Sequence, residues 1–285
     1  MELEDHVIGV CSWSLHCGTN QELVDAMKKL KLNHLQLALN PLLDAGVHAV
    51  DETVQLFEKE GITVTAGMIG FAGEDYSTIA TIRGTGGFVP GDKWDERCHV
   101  AALAAKLGKR LRLSMISTHI GFVPASNEES YPTMVQRLRV VADIFKESEM
   151  TLLMETGQEA ASELLQFIND VARVNVCVNF DPANMLLYGA GNPVDAVRVL
   201  GRHVQHVHIK DAICSTQPGT RWGEEVAFGK GQVNAQAFLT SLRAGGYRGP
   251  LIIEREAGAS RIADIQHAIA VLEGVLCPRP SADGE

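Results

Sequence analysis

The chain has 285 residues and a formal net charge of −10, and 46% of its residues are hydrophobic. This composition can supply a sizeable core, and its acidic balance argues against binding to nucleic acid or to anionic membranes. No apolar stretch approaches the roughly 20 residues that cross a membrane. The six cysteines are scattered without a Cys-x-x-Cys pair, and the acidic start lacks the features of a signal peptide. We therefore expect a reducing, cytoplasmic location.

Hydrophobic patterning predicts eight short buried strands that alternate with helices. The predicted strands are residues 7–13, 34–40, 62–69, 115–119, 151–155, 176–181, 204–209 and 250–254. Helices are predicted over about residues 20–32, 47–60, 95–107, 129–148, 159–173, a short segment after 193, 235–244 and 261–276. The first helix has Thr19 or Asn20 as its N-cap and Glu22 in its first turn, and the second stops at Gly61.

Strict alternation of strand and helix predicts an α/β fold, a (β/α)8 TIM barrel. The connections support it, because those from helix to strand are short and the longest run from strand to helix, at 70–94, 120–129 and 212–233. An open doubly wound sheet is the alternative, but it lacks the Gly-x-Gly-x-x-Gly turn after strand one. We predict one barrel domain over residues 1–277 and a disordered tail over 278–285.

Glycines cluster at positions 84–87, within the longest connection. The cluster lacks the Gly-Lys-Ser/Thr of a phosphate-binding loop. We interpret it as a mobile lid over the site.

Four of the later predicted strands end on residue types that bind metals. These ends are Glu155, Asp181, the pair His206 and His208, and Glu254. The carboxyl ends of parallel strands meet on one face of a barrel, where three carboxylates and an imidazole could hold a divalent cation.

Ordered motifs around these ends resemble the sugar phosphate isomerase/epimerase family. The motifs are Met154-Glu155-Thr-Gly157, Asn179-Phe-Asp181-Pro-Ala-Asn184, His206-Val-His208-Ile-Lys-Asp211, Gly229-Lys-Gly231 and Ile253-Glu254-Arg255-Glu256, with Thr118-His119 resembling the fourth-strand segment. That family has a xylose-isomerase-like barrel, and its relatives include ketose 3-epimerases, hydroxypyruvate isomerases and inosose dehydratases. The resemblance covers strands five to eight clearly and the first third only in pattern.

The resemblance implies one divalent metal ion bound by Glu155, Asp181, His208 and Glu254. We expect Mn²⁺, with Zn²⁺, Co²⁺ and Mg²⁺ also compatible with mixed nitrogen and oxygen ligands. The glutamates Glu155 and Glu254 are also the implied catalytic acid and base. The implied reaction is isomerisation or epimerisation of a ketose, keto-sugar or keto-acid, by proton abstraction next to a carbonyl through an enediolate bound to the metal.

Further residues on the same rim are candidates for substrate binding: His119, His206, Lys210 and Trp13. Each has a structural alternative. The two histidines could instead be satisfied inside the barrel, Lys210 could form a surface ion pair, and Trp13 could serve in packing.

Other functions stay open at this point. A lyase on the same scaffold, either a dehydratase or a β-eliminating keto-glycoside lyase, would share the proton abstraction. An apurinic-site endonuclease would need three zinc ions and a histidine where Asn184 stands. A non-catalytic sugar-binding barrel is the fourth possibility, and homo-oligomerisation is suggested only by analogy with relatives.

Overall fold

The predicted strands form one sheet that closes on itself. The computed structural model describes residues 1–277, so the predicted tail, 278–285, lies outside the described residues. The strands of this sheet are β1 Glu2–Leu3, β2 His6–Cys11, β3 His34–Ala38, β4 Thr63–Ile69, β5 Met115–Thr118, β6 Thr151–Glu155, β7 Val176–Phe180, β8 Val204–Ile209 and β11 Leu251–Ile253. A separate hairpin pairs β9 Asp211–Ile213 with β10 Glu224–Val226.

Strand order confirms the (β/α)8 TIM barrel. The order is β1-β2-β11-β8-β7-β6-β5-β4-β3, and a further pairing of β2 with β3 closes the ring. The eight barrel strands pair in parallel, and β1 adds to β2 in the antiparallel direction. Both faces of such strands are covered, so they need continuous apolar runs. Val10, Leu35 and Leu152 are accordingly fully buried.

Helices surround the barrel, and most lie where the pattern placed them. They are α1 Asn20–Leu30, α2 Asn40–Ala45, α3 Val47–Glu60, α4 Ile79–Thr85, α5 Trp94–Arg110, α6 Tyr131–Lys146, α7 Ala161–Val171, α8 Pro182–Tyr188, α9 Pro193–Leu200, α10 Ala235–Ala244 and α11 Arg261–Leu276. Thr19 caps α1 in a reciprocal capping box with Glu22, and α3 ends at Gly61 with a φ of +66°, both as predicted. No helix within residues 1–277 is both long and apolar enough to cross a membrane.

The structure corrects the mobile-lid interpretation of the glycine cluster. Gly84 belongs to α4, and Gly87 is packed against the backbone of Ile120, whose carbonyl accepts a hydrogen bond from the Phe88 N–H at 2.8 Å. The buried guanidinium of Arg97 donates to the Gly87 carbonyl. Glycine is needed here because a Cβ on Gly87 would overlap the Ile120 carbonyl. The cluster is thus a close backbone approach inside the fold.

Candidate metal centre and active site

Three carboxylates and one imidazole converge at the carboxyl ends of the last four barrel strands. Glu155 ends β6, Asp181 follows β7, His208 lies on β8 and Glu254 follows β11. One potential ligand atom from each lies within 4.8 Å of all the others. His208 Nδ1 is central, at 3.3 Å from Glu155 Oε1, 3.5 Å from Asp181 Oδ2 and 3.2 Å from Glu254 Oε2. The structure therefore brings together the four predicted metal-binding residues.

Asp181 is fixed so that one oxygen stays free. It caps α8 with Oδ1, which accepts hydrogen bonds from the backbone N–H groups of Ala183 and Asn184 at 2.8 and 2.9 Å. Its backbone N–H is held by Thr156 Oγ1 at 2.8 Å. Asp181 Oδ2 is buried without a hydrogen-bond partner and points to the cluster.

The imidazole of His208 is oriented by contacts at its Nε2 atom. Its Nε2 lies 2.6 Å from Gln36 Oε1 and 3.0 Å from Asn179 Nδ2, and these contacts fix the ring with Nδ1 facing the three carboxylates. Burial alone would lower the pKa of His208, but the surrounding carboxylates, led by Glu254, raise it well above its ordinary value. The strongly negative surroundings thus favour a positive charge at the centre of the cluster.

Glu254 and Glu155 are held differently. Both oxygens of Glu254 accept strong donors, Oε1 from Trp13 Nε1 at 2.6 Å and Oε2 from Lys210 Nζ at 2.8 Å. Burial alone would raise the pKa of Glu254, but Lys210 and His208 outweigh it and hold the pKa well below the usual range. Glu155 accepts one bond at Oε1, from Asn184 Nδ2 at 3.2 Å, and its buried Oε2 has no hydrogen-bond partner.

Buried polar atoms without hydrogen-bond partners show whether these residues fit a metal ion. Glu155 Oε2, Asp181 Oδ2 and His208 Nδ1 are all buried without partners, an arrangement that costs free energy unless a cation satisfies them. Mixed oxygen and nitrogen donors suit a divalent cation. Cys11 lies on the other side of the imidazole, 3.7 Å from His208 Nε2, and burial raises the pKa of its thiol to about 12. It therefore remains a protonated core thiol.

His206 lies beneath the cluster and does not line the pocket. Its side chain is fully buried, with Nδ1 at 2.8 Å from Asn179 Oδ1 and Nε2 at 3.1 Å from Thr65 Oγ1. Burial lowers its pKa well below the ordinary value, so the ring is neutral. Both ring nitrogens of His206 thus have partners inside the barrel, and this geometry does not support the predicted substrate-binding role.

Lys210 likewise lies behind the site. Its side chain is 2% exposed, and Nζ lies 2.8 Å from Glu254, 2.6 Å from Glu256 and 3.7 Å from Asp181. Burial alone would lower the pKa of Lys210, but these carboxylates raise it well above its usual value. The ammonium group thus donates two hydrogen bonds to carboxylates and lies near a third carboxylate. It positions Glu254 and is not free to bind a substrate.

An open pocket of about 540 Å³ lies above the cluster, within the size range of small-molecule sites. Of the predicted substrate-binding residues, Trp13 and His119 line it. His119 Nε2 lies 3.4 Å from Glu155 Oε2, so this side chain joins the pocket to the ligand set. The remaining lining residues are Ala38, Asn40, Met68, Gly70, Glu74, Tyr76, Asn184, Leu187, Tyr188, Trp222, Glu254 and Glu256.

Sequence reasoning missed several of these residues. Gln36, which orients His208, was signalled only as a polar residue flanked by two leucines in the strand His34–Ala38. Asn184 contacts Glu155 and follows Asp181 by three positions, a spacing that one turn of helix brings back to the same site. Tyr188 lies one further turn along α8 and packs on Trp222 at a ring distance of 4.6 Å. Nothing in the sequence pattern pointed to Tyr188.

Residues 16–275 match the xylose isomerase-like TIM barrel family. The chain belongs to this family. It is 33% identical to a xylose isomerase domain protein from Planctomyces limnophilus, whose crystal structure superimposes with a TM-score of 0.87 over 94% of this chain and 96% of that one. An L-ribulose 3-epimerase structure shares the fold, with 18% identity, a TM-score of 0.73 and coverage of 95% and 94% of the two chains.

The sequence matches to curated proteins cover a smaller share of the chain. An inosose dehydratase from Clostridium botulinum (strain Eklund 17B / Type B) is 25% identical over 158 residues, which cover 50% of this chain and 53% of the relative. The chain therefore spans about half the length of this curated relative. The proteins to which this chain is similar thus include ones named as a xylose isomerase domain protein, an epimerase and a dehydratase.

Proposed function

We propose that this protein is a divalent-metal-dependent isomerase or epimerase that acts on a ketose or a related keto-sugar or keto-acid. The observation that carries the proposal is the convergence of Glu155, Asp181, His208 and Glu254 within 4.8 Å, with three of their buried polar atoms unpartnered. A divalent cation held there would polarise a substrate carbonyl and acidify the neighbouring C–H bond. We favour Mn²⁺, with Zn²⁺, Co²⁺ or Mg²⁺ as alternatives.

The two glutamates have different surroundings, and this supports a division of labour between them. Glu155 accepts a single hydrogen bond, and its Oε2 lies 3.4 Å from Nε2 of His119, a residue that lines the pocket, so we assign Glu155 the removal of the proton from carbon. Glu254, with both oxygens engaged by Trp13 and Lys210, is held rigidly on the other side of His208. It returns a proton only if one of these two bonds lengthens.

The test is exchange of the substrate's α-proton with solvent. Glu155→Gln keeps the size and one oxygen of the side chain but removes the base, so we expect exchange of ketose α-protons in D2O, followed by proton NMR, to fall by about 10²-fold or more. The exposed Glu273→Gln is the matched control and should exchange like the wild type. Metal content is measured in both variants. Undiminished exchange in Glu155→Gln with metal retained would remove the assigned role.

The second candidate is a metal-dependent lyase, either a dehydratase or a keto-glycoside lyase. It is favoured by the similarity to a curated inosose dehydratase. Both candidates begin with the same proton abstraction, so the products separate them. Elimination creates a conjugated enone with ultraviolet absorption, whereas isomerisation or epimerisation yields a sugar of unchanged mass without that band.

Other expectations keep the status of predictions. The cytoplasmic location, the lack of nucleic-acid partners and a possible homo-oligomer rest on composition and on analogy. The single-domain assignment for residues 1–277 is our proposal as well.

A further inference from the structure

The pocket walls carry acidic side chains. Glu74, Glu254 and Glu256 line the pocket, and within residues 1–277 no lysine or arginine side chain does. A divalent cation and Lys210 together would neutralise the three carboxylate ligands, which leaves Glu74 and Glu256 as additional acidic groups. Glu74 is fixed in place, because its Oε1 accepts from the Gly87 N–H at 2.7 Å and its Oε2 from the Phe71 N–H at 3.0 Å.

Three basic groups around the pocket have partners of their own. Lys210 is buried among carboxylates. Arg255 donates to Glu225 at 2.7 Å and to Asp264 at 2.9 Å, away from the pocket. Arg83 stacks on the Phe122 ring at 4.4 Å and lines a neighbouring cavity. Among the residues that line the pocket, a phosphate or carboxylate group would therefore find no guanidinium or ammonium partner, the groups that normally recognise such anions.

Aromatic rings provide the other walls. Tyr188 and Trp222 meet edge to face at 4.6 Å, Tyr76 packs near His119 at 6.2 Å, and Trp13 borders Glu254. Such rings offer apolar surface to the C–H faces of a sugar ring, while polar tips satisfy its hydroxyl groups.

From these walls we propose that the site takes an uncharged polyhydroxylated keto compound, a free ketose, cyclic ketone or neutral keto-glycoside, and discriminates against phosphorylated or carboxylated analogues. This inference rests on the proposed function for the identity of the reacting group. The evidence for the substrate class is the acidic charge of the pocket walls, and this evidence does not depend on which reaction follows.

The first test compares D-fructose with D-fructose 6-phosphate on the Mg²⁺-loaded protein. Binding is followed by the fluorescence of the pocket tryptophans, in a Trp94→Phe background that removes the one tryptophan outside the pocket. We expect the phosphate to bind at least about tenfold more weakly, which corresponds to about 1.4 kcal/mol. Equal or tighter binding of the phosphate at low ionic strength overturns the inference.

The second test probes the charge without any sugar. Collisional quenching of Trp13 and Trp222 in the same Trp94→Phe protein is measured with iodide and with caesium, each relative to a free tryptophan amide. An acidic pocket repels iodide and attracts caesium. The ratio of the normalised quenching constants, caesium over iodide, should therefore be about three or more at low salt. A ratio of one or below overturns the inference. If neither sugar binds, the quenching measurement alone decides whether the inference stands.

The two proposals fail separately. Absence of α-proton exchange with any ketose, combined with weaker binding of the phosphate and exclusion of iodide, would reject the proposed reaction and leave the substrate class standing. Exchange that proceeds as fast on the phosphate as on fructose would reject the substrate class and leave the reaction standing.

Discussion

Replacement of Lys210 by methionine tests the charge balance of the site. Methionine keeps the unbranched apolar stem of the side chain but removes the ammonium group that lies 2.8 Å from Glu254 and 2.6 Å from Glu256. Breaking a buried ion pair by removing one partner costs about 3–5 kcal/mol, because the remaining charges stay buried and unpaired. At about 2–3 °C per kcal/mol for a chain of this size, the metal-free variant should melt roughly 6–15 °C below the wild type.

A bound cation should reverse part of this loss. The metal ion and Lys210 neutralise the same carboxylates, so removing one strengthens the interaction with the other. We therefore expect saturating Mn²⁺ to raise the melting temperature of Lys210→Met by more than it raises that of the wild type. Differential scanning calorimetry with chelator and with Mn²⁺ measures both shifts.

The matched control is Lys93→Met. Lys93 pairs with Glu96 at 3.0 Å on the surface, with side chains 45% and 49% exposed, so its loss should cost at most about 1 kcal/mol with no dependence on metal. Our account of Lys210 would be refuted if Mn²⁺ stabilised Lys210→Met no more than the wild type, or if the metal-free variant melted like the control.

Two further predictions concern groups outside the ligand set. Burial of Glu159 raises the pKa of its carboxyl from 4.5 to about 7, so ionisation on raising the pH costs folding free energy. Glu159→Gln should therefore gain stability over the wild type as pH rises from 4.5 to 7, by up to about 3 kcal/mol, and a pH-independent difference in urea unfolding would contradict this. Gly87→Ala should destabilise by about 3 kcal/mol or more, because its Cβ would overlap the Ile120 carbonyl. Gly84→Ala, with open space around it, should be near neutral or stabilising, and equal melting temperatures of the two variants would show that the overlap relaxes.

Much of the fold and the ligand set followed from the sequence because both rest on local periodicity. Short apolar runs separated by helical patterns predict a barrel, and the barrel places strand ends on one rim. Glu155, Asp181, His208 and Glu254 each stand at or just beyond such an end. Their proximity therefore needed only the fold, not the details of side-chain packing.

Depth within the barrel could not be predicted in the same way. Alternation places His206, His208 and Lys210 on one face of β8, but it does not give their height. His206 is buried between Asn179 and Thr65, with which its two ring nitrogens pair, and the ammonium group of Lys210 is held by Glu254 and Glu256. The short helices α4 and α8 were missed, since each has only seven residues, too few to show a clear period.

The four candidate metal ligands lie in the second half of the chain, between positions 155 and 254, while the first half contributes pocket walls and the contacts by which Gln36 and Trp13 orient His208 and Glu254. Ala38, Asn40, Met68 and Tyr76 can therefore vary without any change in the groups that would hold the cation. These four wall positions are in this sense separable from the groups that carry the proposed reaction. Libraries aimed at new substrates should randomise these four positions and keep Trp13, Gln36 and His119, which contact the candidate ligands, intact.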